Sequence, residues 1–217
     1  AQLAKDRRWH ELWNVRNPIP ARKYLMISPG WNRAAIAEIK RLVPRYRDLP
    51  YVAYYTGTDE PMIFPASGPA EKSPFAKKLA ATIAATQGWA PPSSRQGPTT
   101  DPIEGLRWVA FHRYTGARFM HLRRRQVALI RSLDPDAVVS PNDYAFIDGF
   151  MPWDYSQVAD YSDIVEVDPY VSYDEQKNPG RGRYNPGFAT KLMSDLTGRR
   201  VRTIVQAFPY GGYVPLP

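Results

Sequence analysis

Apolar residues recur along this chain with two periods, and the switching between them sets the expected elements. Leu3, Trp9, Leu12 and Trp13 fall on one helical face, and Pro18 and Pro20 end that segment. Tyr24 to Ile27 is a short apolar run closed by Ser28-Pro29-Gly30, which predicts a strand. Asn32 is placed to cap a helix whose Ile36, Ile39, Leu42 and Val43 keep helical spacing, and Pro44 should end or kink it. Asp48-Leu49-Pro50 then turns the chain into Tyr51 to Thr58, a run rich in β-forming residues that should stop at Pro61. Phe75 to Gln87 reads as an Ala-rich helix. Glu104 to Leu133 reads as a long one, with Gly116 a candidate break, Leu122, Val127 and Ile130 facing inward, and Asp134-Pro135 closing it. Ala137 to Ser140, Asp163 to Val167 and Val201 to Phe208 are further strands, and a helix from Pro186 to Leu196 is closed by Gly198.

Short strands alternating with helices predict a parallel sheet or barrel, and no internal repeat interrupts the pattern. Residues 1–217 therefore read as a single α/β domain, with long loops at 62–74 and 88–102. Loops of that length in a compact domain are usually functional or disordered.

Composition narrows the chemistry. The 22 prolines, with 14 Tyr, 6 Trp and 8 Phe, suggest rigid, ring-lined loops on a regular scaffold. A net charge of +8 raises nucleic acid or another polyanion as a partner. The positive charges, however, are spread along helices, as in Arg41, Arg45 and Arg47 or Arg123-Arg124-Arg125, where the plainer reading is a solvated face. No nucleic-acid role is expected from them. With no cysteine, neither a disulfide framework nor a thiolate metal site is possible. His10, His112 and His121 have no metal spacing, and Gly180-Arg181-Gly182-Arg183 lacks the strand-then-helix setting of a phosphate loop, so no metal and no cofactor are expected. No apolar run approaches the roughly 20 residues that span a bilayer, and no membrane partner is expected. The opening Ala1-Gln2-Leu3 has no signal-peptide pattern and reads as mid-helix, which leaves the compartment open and suggests a piece of a longer protein.

The strand ends carry the candidate chemistry. The last four strands run into Asp59-Glu60-Pro61, Ser140-Pro141, Asp168-Pro169 and Phe208-Pro209, with Gln206 two residues before Phe208. In a barrel, polar groups converging from strand ends make the active-site floor. Adjacent carboxylates tend to split their pKa values into an acid and a base, which suits Asp59 and Glu60; the plainer reading is a cap and a solvated side chain. Glu166 and Asp168 share strand parity and can both face a barrel interior, where either can be a second catalytic carboxylate, Asp168 ahead of Glu166. Against that, Glu166 can pair with an interior Arg while Asp168 caps the loop. Asn142 and Asp143 can bond a ligand or simply form a turn. Among the aromatic residues near strand ends are Trp31, Tyr55, Tyr144, Trp153, Tyr155, Tyr170, Phe208 and Tyr210, flat amphipathic rings able to stack on a ligand or to anchor loops. Trp153 leads them, because Pro152-Trp153-Asp154-Tyr155 sets two rings and a carboxylate in one rigid loop.

These motifs resemble the middle of a clan-A glycoside hydrolase barrel, particularly the β-galactosidase-like families. The matching residues are Tyr54 to Pro61 as a strand ending in an acid/base Glu, then Arg123-Arg124-Arg125-Gln126 in a long helix ending at Asp134-Pro135. Val139-Ser140-Pro141-Asn142 and Asp163 to Tyr170 follow. The resemblance implies a (β/α)8 TIM barrel, here incomplete, covering about the third to seventh strands with the remainder outside this chain. It implies a carbohydrate substrate, Glu60 as general acid/base, and Trp31, Tyr55, Asn142, Trp153, Tyr170, Gln206 and Tyr210 as substrate contacts. Two departures qualify it. Gln206 stands where a retaining enzyme of this clan has its nucleophilic Glu, and Asp59 precedes Glu60 where Asn is usual. An amide cannot form a glycosyl-enzyme intermediate. Barrels that cleave N-acetylhexosaminides with substrate assistance instead use an adjacent Asp-Glu pair, and by that resemblance Asp59 would orient the acetamide while Glu60 protonates the leaving oxygen. The expected function is hydrolysis of O-glycosidic bonds; the alternatives are a non-catalytic carbohydrate-binding barrel and a polyanion-binding module.

Overall fold

A computed structural model describes residues 27–49, 74–92, 100–140, 154–169 and 182–205. Its described elements are the helices α1 (Pro29–Tyr46), α2 (Pro74–Gln87), α3 (Pro102–Leu133) and α4 (Asn185–Thr197), and the strands β1 (Ile164–Val167) and β2 (Arg200–Thr203). Short 3-10 turns cover Tyr155–Asp160 and Gly182–Tyr184. The chain divides into two compact units, one holding α1 to α3 and the other the strands with α4.

Every described α-helix opens at or beside a proline: Pro29, Pro74, Pro102 and Pro186. The ring presets a helical φ, and the missing N–H is one the first turn would leave unbonded anyway. Part of the proline content therefore starts helices rather than stiffening loops. It also moves the start of α1 ahead of the expected cap: Asn32 lies inside the first turn, its N–H bonded to the Ser28 carbonyl at 3.0 Å. The helix also runs past Pro44 to Tyr46, where the sequence suggested an end. Ile27, the last residue of the expected strand 24–27, sits in a turn before α1; residues 24–26 lie outside the described residues.

The first unit is built on α3. Its buried positions, Phe111, His112, Thr115, Gly116, Phe119, Met120, Arg123, Gln126, Val127 and Ile130, step by one and three along one helical stripe. Asp101 caps the start, its carboxylate accepting from the Ile103 N–H, and the Asp134 N–H closes the end on the Ile130 carbonyl. No break occurs at Gly116. That residue is buried within the stripe, so packing offsets the roughly 1 kcal/mol that a mid-helix glycine costs. Leu122, expected to face inward, is only half-buried. Arg123 departs from the solvated reading of the arginine run: it is buried, with its guanidinium 5.1 Å from the Phe119 ring. Leu42, Val43 and Tyr46 form the buried face of α1, which packs on α3. Three links fix their direction: Arg118 to the Ile27 carbonyl at 3.5 Å, Gln126 to the Asn32 side chain at 3.4 Å, and Arg47 to the Leu133 carbonyl at 2.9 Å. Start pairs with middle and end with end, so α1 runs parallel to the second half of α3. The last link also puts a cation on the negative end of α3.

The second unit is a parallel strand–helix–strand arrangement. β1 and β2 pair in parallel with Ile164 opposite Arg200, Val165 opposite Val201, Glu166 opposite Arg202 and Val167 opposite Thr203. Helix α4 connects them, ending at Gly198 with φ of 61°, the left-handed conformation that glycine adopts without strain. Its Ala189 and Met193 are buried. The strand expected at 137–140 is reduced to one bridging residue, Val139, whose carbonyl accepts from the N–H groups of Asp163 at 2.9 Å and Ile164 at 3.4 Å. Nor does the last strand reach as far as the apolar run: β2 stops at Thr203, although the Ile204 N–H still reaches the Val167 carbonyl at 2.8 Å. Ile204 and Val205 are exposed, so apolar character there does not mark burial. The expected helix 3–15 and strand 51–58 lie outside the described residues.

His112 gives the first unit a pH dependence. It is 5% exposed, with its ring tilted 60° against Trp108 at 4.0 Å between centroids and edge-on to Phe111 at 5.8 Å, and neither ring nitrogen has a hydrogen-bond partner. Burial pushes its pKa down from 6.5 to about 4. Between those values the unfolded chain binds the proton and the folded chain does not, so stability is lost as pH falls through the window. His112→Phe should shrink the stability difference between pH 7 and pH 4.5 by about 2 kcal/mol in urea titrations. An undiminished difference would show that His112 is solvated.

Candidate active site at the strand ends

Parallel strands deliver their carboxyl ends to the same edge, and in the second unit that edge is marked by Asp168 after β1 and Ile204 after β2. Which face is which follows from α4. The Thr190 and Thr203 hydroxyls lie 2.5 Å apart, so Thr203 faces the helix. Alternation and register put Val165, Val167 and Val201 on that same face. Glu166 and Arg202 therefore lie on the opposite face, which in an α/β barrel is the interior.

On that inner face a charged layer crosses three neighbouring segments. The Glu166 carboxylate is buried at 2% exposure and accepts from the Arg202 guanidinium on β2 and, at 3.1 Å, from the Ser140 hydroxyl beside the Val139 bridge. Burial of Arg202 lowers its pKa, the direction expected for a cation drawn out of water. The pairing identifies the interior Arg that the sequence left unnamed for Glu166. Arg202 was missed by sequence reasoning, which looked only at strand ends; Ser140 was noted there as a strand-end polar residue, though not as a partner of Glu166. The signal for Arg202 was parity, since it is spaced by an even number of residues from Gln206.

Two residues beyond Glu166, Asp168 follows the strand with the same parity and is half-buried. It is the one expected catalytic residue among those described. Asp59, Glu60, Tyr55, Asn142, Trp153, Tyr170, Gln206 and Tyr210 lie outside the described residues, as does the side chain of Trp31, whose backbone belongs to the first turn of α1. Asp154, grouped by the sequence with the rings of its loop, uses its carboxylate locally. It caps the turn Tyr155–Asp160, accepting from the Ser156 N–H at 3.1 Å and the Gln157 side chain at 3.0 Å. Among the described residues no group of three His, Asp or Glu could hold a metal ion, and no helix is long and apolar enough to cross a membrane. A half-buried carboxylate over a charge-compensated layer can serve as an acid, a base or an electrostatic stabiliser.

Comparison with known proteins agrees with this arrangement. The family model Glyco_hydro_42, described as Beta-galactosidase, matches residues 91–207, which include Asp168 and Gln206 and begin after Asp59-Glu60. No curated protein matches the chain. Among solved structures, the β-galactosidase of the psychrophilic Marinomonas ef1 superposes with a TM-score of 0.61 at 14% identity, over 88% of this chain and 34% of that one. A polyextremophilic β-galactosidase from the Antarctic haloarchaeon Halorubrum lacusprofundi gives a TM-score of 0.49 at 20% identity, over 72% of this chain and 26% of that one. The chain thus spans about a third of the length of the Marinomonas enzyme. Family and fold together make it part of a TIM barrel and bear out the resemblance to β-galactosidase-like glycoside hydrolases.

The charged layer has a measurable cost of disruption. Glu166→Gln leaves Arg202 without its counter-charge and should destabilise the protein by about 2–3 kcal/mol. Ser140→Ala removes one hydrogen bond and should cost about 1 kcal/mol. Equal, near-zero losses in urea unfolding would show that the layer is hydrated.

Proposed function

The chain belongs to the β-galactosidase family Glyco_hydro_42, and on that premise we propose that it forms part of a glycosidase cleaving O-glycosidic bonds of a galactoside-containing carbohydrate. The observation that carries the reading is the family match across the segment bearing the inner charged layer and Asp168. In this reading residues 1–217 form one domain that contributes about the third to seventh barrel strands, and the remainder of the barrel lies elsewhere in the polypeptide. Glu60 is the general acid/base, giving its proton to the leaving oxygen and then taking one from water. Trp31, Tyr55, Asn142, Trp153, Tyr170 and Tyr210 line the sugar site, and Gln206 bonds a hydroxyl near the anomeric centre.

Gln206 favours a specific variant of this chemistry. With an amide where a nucleophile would stand, the positive charge that develops on the sugar ring needs another anion. Asp168 is one source. The other is Asp59, holding a substrate 2-acetamido group whose oxygen attacks the anomeric carbon. A third outcome, carbohydrate binding without turnover, also follows from Gln206.

These readings separate on simple substrates. Glu60→Gln should lower kcat/KM on p-nitrophenyl β-galactoside by about 10²–10⁴-fold while leaving sugar binding intact. Full activity in that variant removes Glu60 from the mechanism. Faster cleavage of the N-acetyl-β-galactosaminide than of the plain galactoside selects Asp59, and indifference to the acetamide rejects it. Sugar binding with no turnover by the unaltered protein selects the non-catalytic barrel.

A further inference from the structure

We infer that Glu166 and Arg202 are positioning residues for the proposed reaction: a charge-compensated pair one layer below the strand ends, setting the field in which Asp168 works. The inference rests on Asp168 facing the proposed pocket, and it goes beyond the stability that the pair provides. Three observations carry it. Glu166 is almost fully buried, and its carboxylate meets both the Arg202 guanidinium and the Ser140 hydroxyl, so it is fixed from two neighbouring segments. Asp168 comes two residues later on the same strand, which places it on the same face and about 6–7 Å further along. The ladder continues past the pair through the Ile204 N–H on the Val167 carbonyl at 2.8 Å, so the two strand ends stay in register above it.

The other charges of this unit lie elsewhere among the described residues. Asp163 is spent at the opposite end of β1, where its carboxylate accepts from the Val139 N–H at 2.8 Å. Arg200, exposed, pairs in register with Ile164 at that same far end. On α4, Lys191 and Asp195 pair with each other on the exposed surface, and Arg199 donates to the Ala159 carbonyl at 2.9 Å. Asp160 is exposed on the 3-10 turn, and Arg183 lies over the Tyr184 ring before α4. Among the described residues, Glu166 and Arg202 are thus the charges placed on the face of Asp168. While both are present their fields largely cancel. Remove one, and the survivor acts on Asp168 across a medium of low dielectric.

The test follows from that cancellation. The titration midpoint of Asp168 is read by carboxyl carbon NMR, assigned with Asp168→Asn, in the unaltered protein, Glu166→Gln, Arg202→Met and the double variant. Glu166→Gln leaves a lone cation and should lower the midpoint by about half to one pH unit; Arg202→Met leaves a lone anion and should raise it by a similar amount. The double variant removes both charges, should fold better than either single one, and should return the midpoint towards its starting value. A purely structural pair predicts shifts of one sign or none, and either result overturns the inference. The acid limb of kcat/KM on p-nitrophenyl β-galactoside should move with the midpoint; a static limb beside a moving midpoint also overturns it. If the unaltered protein shows no turnover, the proposed hydrolysis fails on its own, and the opposite NMR shifts still decide whether the pair controls Asp168.

Discussion

The second unit depends on one alignment, the parallel register that sets Glu166 opposite Arg202. Side chains alternate faces along a strand, so a one-residue slip of β1 would carry Glu166 to the α4 side, beside Val201 and Thr203, and turn Val165 and Val167 to the other face. A lone carboxylate there would face a desolvation cost of several kcal/mol with no cation to offset it. The same slip would take Val165 and Val167, now buried, off the face packed by α4. Apolar burial alone would tolerate other registers of a valine-rich pair. The ion pair does not, so it acts as a registry device as well as a source of stability.

The first unit is specified in a different way. No register is at stake in packing α1 on α3, and the buried stripe of α3 would accept a partner helix at several heights. The polar links select one. Arg47 on the Leu133 carbonyl fixes the two C-terminal ends together, and Gln126 on Asn32 fixes the start of α1 a turn and more back along α3. Such bonds contribute little each, about 1 kcal/mol net. They matter because misplacing the helices would leave buried polar groups such as Gln126 unbonded.

What could be read from the sequence follows the same division. Helices were legible because a 3.6-residue stripe repeats many times: Pro186 to Leu196 with its Gly198 cap was expected almost as it stands, and so was the end of α3 at Asp134. Their starts were less legible, since Pro29 and Pro102 open helices three and two residues before Asn32 and Glu104, the polar residues that seemed to. Strand limits failed for the opposite reason. Four residues of alternation carry little information, and the apolar run continues past Thr203 through Ile204 and Val205, which are exposed rather than buried. In the candidate site, Asp168, the parity of Glu166 and Ser140 as a strand-end polar residue were readable, whereas Arg202 and the pairing of Glu166 with both were not, because pairing between segments distant in sequence is a property of register.

Register also bears on the meaning of Gln206. In the proposed pocket the floor beneath the strand ends is electrically balanced, because the Glu166 charge is matched by Arg202. A balanced floor supplies no net field, so the anion that a cationic transition state requires has to come from the strand ends themselves. With an amide at position 206, the carboxylates that the proposed site would hold are Asp59, Glu60 and Asp168. If Glu60 carries the proton, the stabilising charge falls to Asp168, to Asp59 through the substrate, or to neither. The last case is a barrel that binds sugar without cleaving it. The single amide at 206 is therefore what makes Asp59, beside Glu60, matter as much as any distant partner.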